Sequence, residues 1–203
     1  MDSLYEESAR CIMKKIIVMI LAFAMLSACA SMTSCGKSSG DAPNGMKLIS
    51  SDVVSYSLYV PNSWQADVAA GATTAYYSST DTSSVSVMVF TLNDVSMSAK
   101  DWWNSYRADY EEVYKDFEVI SEEETVLDGV AAMKFVFTGA LTHTENDGSG
   151  AEKDEFKFMQ VAAIKSKPLS SPEIYVFTYT SSPAQYDSHL TDVENMLAYF
   201  KFK

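Results

Sequence analysis

Alternation of apolar and polar side chains predicts strands in the chain beyond residue 50. The first is predicted over 53–60 and ends before Pro61; its apolar side chains share one face: Val54, Tyr56, Leu58 and Val60. Further strands are predicted over 73–78, 84–92, 117–120, 125–126, 130–138, 156–165 and 174–180. Short polar turns such as Asp128-Gly129 separate several of them, so the sheet is expected to be mainly antiparallel.

A spacing of three or four residues predicts two amphipathic helices. The first covers 99–115 behind a cap at Ser96 or Ser98, and its apolar side contains Ala99, Trp102, Trp103, Tyr106, Tyr110, Val113 and Tyr114. The second opens at Ser182-Pro183, and its buried stripe is formed by Tyr186, Leu190, Val193, Leu197 and Phe200. Strands, a helix, more strands and a last helix predict an α+β fold with the helices laid on the sheet.

The N-terminal pattern is of another kind. Ten consecutive apolar residues cover 16–25 and follow Met13-Lys14-Lys15. This run is too short to span a bilayer comfortably, and a basic start before a short apolar core is typical of a secretory signal. Met13 is therefore predicted to be the true start, which makes 1–12 an over-called extension.

The apolar run closes with Leu26-Ser27-Ala28-Cys29, which resembles the lipobox of bacterial lipoproteins. The resemblance implies that Cys29 receives a diacylglycerol and becomes the new N-terminus after cleavage. Cys35, which follows Met32-Thr33-Ser34, is the alternative lipidation site. The predicted location is the bacterial cell envelope, with the protein lipid-anchored to the membrane and facing outside the cytoplasm.

Three parts of the chain follow from this pattern: a signal region at 1–28, a lipidated cysteine with a flexible tether at 29–45, and one domain at 46–203. The tether consists of small and polar residues with three Gly and one Pro. No cysteine occurs from residue 36 onward, so the domain has no disulfide framework and no thiolate metal site.

Charge narrows the range of partners. The chain has 27 acidic and 15 basic residues, a net charge of −12. This balance argues against nucleic-acid binding, which needs a basic surface, and against adhesion of the folded surface to anionic lipid. We expect contact with the membrane through the N-terminal lipid, and a protein or peptide partner that the sequence does not identify.

The search for catalytic chemistry finds two histidines, His143 and His189. No Ser-His-Asp system, catalytic residue or cofactor is predicted from them. His189 borders the stripe of the last helix, where a packing or hydrogen-bonding role is expected. The polar loop 143–154 weakly imitates a calcium loop, with Glu145, Asp147 and Asp154 as candidate oxygen ligands.

The domain resembles PsbP-like domains. The motifs are the run from Tyr56 to Trp64, Leu127-Asp128-Gly129 before an apolar strand, and the closing run from Tyr175 through Tyr186 to Phe200. The resemblance implies an α/β/α sandwich around a mainly antiparallel β-sheet, and that family shares no catalytic residues. We therefore expect a non-catalytic binding or assembly module rather than an enzyme. The alternatives are a Ca or Mn binding protein that uses loop 143–154, and an envelope hydrolase.

Overall fold

The computed structural model describes residues 42–69, 72–144, 151–167 and 170–203. Its elements, in chain order, are β1 (Met46–Leu48), β2 (Tyr56–Ser57), β3 (Tyr59–Pro61), β4 (Gln65–Ala69), β5 (Ala72–Tyr76), β6 (Ser84–Thr91), α1 (Ala99–Val113), β7 (Lys115–Leu127), β8 (Val130–Thr144), β9 (Ala151–Lys167), β10 (Ser170–Ser181), a 3₁₀ turn (Tyr186–His189), α2 (Leu190–Tyr199) and β11 (Lys201–Phe202). No helix within these residues is long and apolar enough to cross a membrane.

The main sheet contains seven of the described strands in the order β4-β5-β6-β10-β9-β8-β7. Every neighbouring pair in it is antiparallel, and at its centre Phe177 on β10 lies opposite Val87 on β6 and Val161 on β9. Two short antiparallel pairs, β1 with β3 and β2 with β11, complete the pairing. The predicted α+β class with a mainly antiparallel sheet flanked by helices is confirmed.

One face of the sheet, here called the α2 face, packs against α2 and against the segment 56–64. Sheet residues in this core are Val85, Val87, Met159, Val161, Tyr175, Phe177 and Tyr179. Opposite them lie Val193, Met196 and Phe200, which are fully buried, together with Trp64. The alternating pattern of the strands and the three-to-four spacing of the helix therefore meet in one continuous apolar layer.

The other face, here called the α1 face, holds a second layer of aromatic side chains. Trp103 stacks on Phe135 with ring centroids 4.4 Å apart, and Tyr114 contacts Phe158 at 5.1 Å. Tyr114 also lies against Gly139, where an added Cβ would come within 2.7 Å of the tyrosine Cβ. The glycine is required there because no side chain fits between helix and strand.

Strand β7 differs from the prediction of two short strands over 117–120 and 125–126. It runs unbroken through Glu122, Glu123 and Glu124, with two register shifts against β8. Glu122 pairs with Lys100 and Glu123 with Lys134. β7 is the edge of the sheet, so acidic side chains can reach basic partners or solvent there without interrupting the strand.

The last helix begins later than predicted. The backbone N–H groups of Gln185 and Tyr186 both donate to the carbonyl of Ser182, which forms a turn before the 3₁₀ residues. Ser182 therefore acts through its backbone, and α2 itself starts at Leu190. Tyr186, Val193 and Phe200 from the predicted stripe are buried.

Candidate functional site

Helix α1 is fixed at its N-terminus by a capping box. The Ser98 hydroxyl accepts a hydrogen bond from the Asp101 N–H at 3.1 Å, and the Asp101 carboxylate accepts one from the Ser98 N–H at 3.1 Å. These bonds satisfy two backbone donors that the helix start would otherwise leave unpaired. The cap therefore sets where α1 begins and which side chains it turns toward the sheet.

One flank of α1 points toward β7. Trp103 Nε1 donates to Glu122 Oε1 at 3.1 Å, and the Lys100 ammonium pairs with the same carboxylate. The bond from Lys100 lowers the pKa of Glu122 below its ordinary value, although partial burial opposes the shift. Farther along this flank, Arg107 pairs with Glu111 at 2.9 Å. The two basic residues of α1 are thus both engaged on this side of the helix.

The flank that points away from β7 carries two buried polar atoms without a partner. Trp102 is 2% exposed and Asp109 is 7% exposed. Neither Trp102 Nε1 nor Asp109 Oδ2 has a hydrogen-bond partner among the described residues. A buried carboxylate oxygen without a donor is unfavourable, so such an atom in a folded protein calls for an explanation.

A chain of hydrogen bonds lies beside these atoms in the same interface. Gln160 Nε2 on β9 donates to the Tyr110 hydroxyl at 2.9 Å and lies 3.3 Å from Thr178 Oγ1 on β10. Burial raises the pKa of Tyr110 to about 12, with the bond to Gln160 opposing, so its hydroxyl keeps its proton at neutral pH. We refer to Trp102, Asp109, Tyr110, Gln160 and Thr178 as the α1 seam.

The α1 seam offers an unpaired acceptor on Asp109 and an unpaired donor on Trp102. Their Cα atoms are seven residues apart, or about 10 Å along the helix axis. Two complementary groups at such a separation suit the binding of a ligand that carries both a donor and an acceptor. The arrangement therefore suits the binding of a ligand of this kind.

His189, by contrast, has a structural role, as its position beside the apolar stripe predicts. Its Nε2 lies 2.8 Å from Asp81 Oδ2, and its ring is 4.2 Å from that of Tyr77. Burial raises the pKa of Asp81, but hydrogen bonds from Ser83 and His189 outweigh burial and hold the pKa below its ordinary value. The pair ties the turn before β6 to the start of α2.

Of the candidate lipidation and metal residues that the sequence nominated, the structure describes Asp154. Cys29, Cys35, Glu145 and Asp147 lie outside the described residues. Asp154 lies within β9 opposite Leu141. No group of three His, Cys, Asp or Glu side chains suited to a metal occurs in the described ranges.

The prediction of a loop over 143–154 is wrong at both ends, because strands extend into this range. Strand β8 continues to Thr144 and β9 begins at Ala151. The physical reason is cross-strand pairing, since Thr142 lies opposite Lys153 and β-branched residues favour extended backbone. Lys153 also forms ion pairs with Asp116 at 2.7 Å and Glu155 at 2.9 Å, which further tie this stretch to its neighbours.

Asp109 is the site residue that the sequence prediction missed. It follows Tyr106 by three residues and Trp102 by seven, which places it on the apolar side of α1. An acidic residue inside an aromatic stripe is a visible signal. What the sequence does not supply is that Oδ2 of this carboxylate has no hydrogen-bond partner among the described residues.

Comparison with solved structures identifies the fold. The chain is similar to LpqN, a protein involved in cell envelope biogenesis of Mycobacterium tuberculosis, with a TM-score of 0.54 and 9% identity over 73% of this chain and 83% of that one. It is also similar to cyanobacterial PsbP (CyanoP) from Synechocystis sp. PCC 6803, with a TM-score of 0.50 and 13% identity over 88% and 99% of the two chains. The fold is that of PsbP-like proteins.

The Ran-binding protein Mog1p of Saccharomyces cerevisiae has the same PsbP-like fold. Its TM-score is 0.50, with 12% identity over 77% of this chain and 95% of that one. No protein-family model matches the sequence, and no curated protein sequence is significantly similar to it. Identities at this level establish the fold alone, so function has to be argued from the site.

Proposed function

We infer that this protein is a non-catalytic binding or assembly module, with a domain at 46–203 held at the outer face of a bacterial membrane by a lipid on Cys29. The observation that carries the binding role is the α1 seam, in which Trp102 and Asp109 each keep a buried polar atom that no described residue pairs with. A purely structural interface would gain stability by pairing or removing them. Their retention is accounted for if a partner supplies the missing bonds.

The membrane anchor is supported by the N-terminal sequence. A basic start, a ten-residue apolar run and the lipobox that ends at Cys29 agree in order and length. The fold comparison adds analogy: LpqN is described as a cell envelope biogenesis protein and Mog1p as a Ran-binding protein. Proteins with this fold therefore include a binding protein, which supports a protein partner here.

The anchor is tested by lipid labelling of the full chain expressed in a bacterium. We expect a labelled fatty acid to be incorporated into the wild type and into Cys35→Ser, and to be lost from Cys29→Ser. Mass spectrometry of the membrane-bound protein should place the mature N-terminus at Cys29. Labelling retained in Cys29→Ser and lost in Cys35→Ser would move the anchor to the alternative site. An unprocessed chain that lacks lipid would contradict the anchored role.

The binding role is tested by quantitative cross-linking of the full chain in envelope membranes. Asp109→Asn removes the seam carboxylate, and Asp52→Asn makes the same change in charge at an exposed position. We expect at least one cross-linked protein to decrease about tenfold with Asp109→Asn and to be unaffected by Asp52→Asn. A cross-linking pattern identical in the two variants would contradict a binding role for the seam.

A further inference from the structure

The chemistry of the missing partner follows first from Asp109. Its carboxylate is more than nine-tenths buried and Oδ2 accepts no hydrogen bond among the described residues. The basic residues of its own helix, Lys100 and Arg107, are paired with Glu122 and Glu111 on the opposite flank. A buried carboxylate is stabilised most by a cationic donor, so the group that completes this site is expected to be positively charged.

Aromatic rings beside the carboxylate limit the chemical class of the expected cation. The rings of Trp102 and Tyr106 are 5.2 Å apart on the same stripe of α1, and Tyr110 follows Asp109 directly. Aromatic faces attract ammonium and guanidinium groups, and they pack well against a methylene chain. An alkylammonium group fits a site that contains rings and one carboxylate.

Trp102 adds the second requirement, because its indole N–H needs an acceptor. A lysine residue within a peptide has both groups, an ammonium at the end of a methylene chain and a carbonyl oxygen in its backbone. We propose, on the basis of the binding role argued above, that the α1 seam binds a lysine-bearing peptide segment. The lysine ammonium contacts Asp109, and a peptide carbonyl accepts from Trp102 Nε1.

Access to the seam requires a side chain to move, since both unpaired atoms are shielded from solvent. Tyr106 lies between them on the helix and is half-buried, so rotation of its side chain opens the way. The net charge of −12 attracts a basic segment toward this surface over longer distances. Binding is therefore expected to weaken as the salt concentration rises.

The test uses calorimetry on the full chain with Nα-acetyl-lysine N-methylamide as the probe. Two matched probes are the norleucine derivative, which lacks the ammonium, and cadaverine, which lacks the carbonyl groups. We expect the lysine derivative to bind at about millimolar concentration, cadaverine to bind more weakly, and the norleucine derivative to give no heat. Cadaverine affinity equal to that of the lysine derivative would overturn the assignment to a peptide.

Variants separate a binding role from a structural one. Asp109→Asn is expected to weaken binding of the lysine derivative about tenfold. It should not lower the melting temperature, because it replaces a buried carboxylate oxygen that has no hydrogen-bond donor among the described residues. Asp52→Asn should leave the affinity unchanged. Trp102→Phe is expected to weaken binding of the lysine derivative and to leave the affinity for cadaverine unchanged. Unchanged affinity in a folded Asp109→Asn would overturn the proposal.

The two proposals fail independently. If the wild type gives no heat with the lysine derivative at about 10 mM, the peptide assignment is overturned. A cross-linked protein that still depends on Asp109 would in that case preserve the binding role with a partner of other chemistry.

Discussion

The two faces of the sheet treat their buried polar groups differently. On the α2 face, Trp64 Nε1 donates to Asp192 Oδ2 at 2.8 Å, and the Tyr56 hydroxyl donates to Thr73 at 2.7 Å. The Tyr186 hydroxyl is an exception there, but it is neutral. On the α1 face the indole N–H of Trp102 and one carboxylate oxygen of Asp109 have no hydrogen-bond partner in the part of the chain that the structure describes.

A carboxylate without a donor costs more than a phenol without one, because desolvation of a charge is larger. On the α2 face the polar groups of Trp64 and Tyr56 are therefore satisfied, and the short strands β2 and β11 contribute Tyr56 and Phe202 to its core. The α1 face keeps an unfavourable feature inside an otherwise well-packed aromatic layer. Such a contrast within one sheet is what the binding role proposed above would produce.

Removal of one large aromatic side chain from each face gives the largest expected effect. Trp64 and Trp103 are both fully buried, so Trp64→Ala and Trp103→Ala should each lower the free energy of unfolding by about 3–5 kcal/mol. Urea unfolding followed by circular dichroism measures both. The exposed Tyr199, truncated to alanine, serves as the control and should cost much less. A loss below about 1 kcal/mol at either tryptophan would show that its face is not part of the cooperative core.

A smaller change compares the indole N–H groups directly. Trp64→Phe breaks the bond to Asp192, whereas Trp102→Phe removes an N–H that has no partner among the described residues. Because the two variants lose the same atoms, Trp64→Phe is expected to cost about 1–3 kcal/mol more than Trp102→Phe. Urea unfolding of the two variants provides the difference. Equal costs would mean that Trp102 Nε1 is bonded in solution, by water or by a neighbouring segment.

The sequence predicts much of the scaffold behind this comparison. Alternation located β6 within one residue, and helical spacing with the Ser98 cap located α1. It missed β1, β4 and β11, which are short; β1 and β11 also pair with strands that are not their neighbours in the sequence, and such pairing is not visible as periodicity. Local pattern therefore suffices where an element buries its own apolar face.

The site was less predictable than the fold. Asp109 is visible as an acid within an aromatic stripe, but the neighbouring Tyr110 bonds to Gln160 on β9, which lies 50 residues later in the sequence. The acidic run at 122–124 shows the same limit, because its partners Lys100 and Lys134 come from other elements. Partners that are distant in sequence decide whether a charge is structural, solvated or available to a ligand.

The starts of the two helices offer a further comparison. Helix α1 has a capping box at Ser98, whereas α2 follows a 3₁₀ turn and its N-cap residue, His189, makes no side-chain capping hydrogen bond. Ser98→Ala should therefore lower stability by about 1 kcal/mol through loss of the cap. The exposed Ser63→Ala is the control, and thermal unfolding is the measurement. A loss of stability equal to that of the control would mean that the α1 seam is positioned by packing of α1 alone.

The smallest expected effect concerns pH on the α2 face. Asp81 joins the turn before β6 to His189, and its pKa is held below the ordinary value by Ser83 and His189 against the effect of burial. A carboxyl group with a depressed folded pKa contributes stability above its unfolded pKa, near 4, and loses it as the pH falls through the folded value. Asp81→Asn should therefore destabilise the protein at neutral pH, by about 1 kcal/mol or less after solvent screening.

As the pH falls below the unfolded pKa, the difference between wild type and Asp81→Asn should shrink, and it should approach zero once the pH lies below the depressed folded pKa, because both side chains are then neutral. Urea unfolding at pH 7, 5 and 3 tests this. Asp109→Asn, measured in parallel, is expected to show no loss of stability at pH 7. The two variants together compare the carboxylate of Asp109 on the α1 face with the hydrogen-bonded carboxylate of Asp81 on the α2 face. A difference for Asp81→Asn that is constant with pH would mean that the carboxylate charge contributes nothing, and that the tie between the turn and α2 is made by packing of His189 against Tyr77.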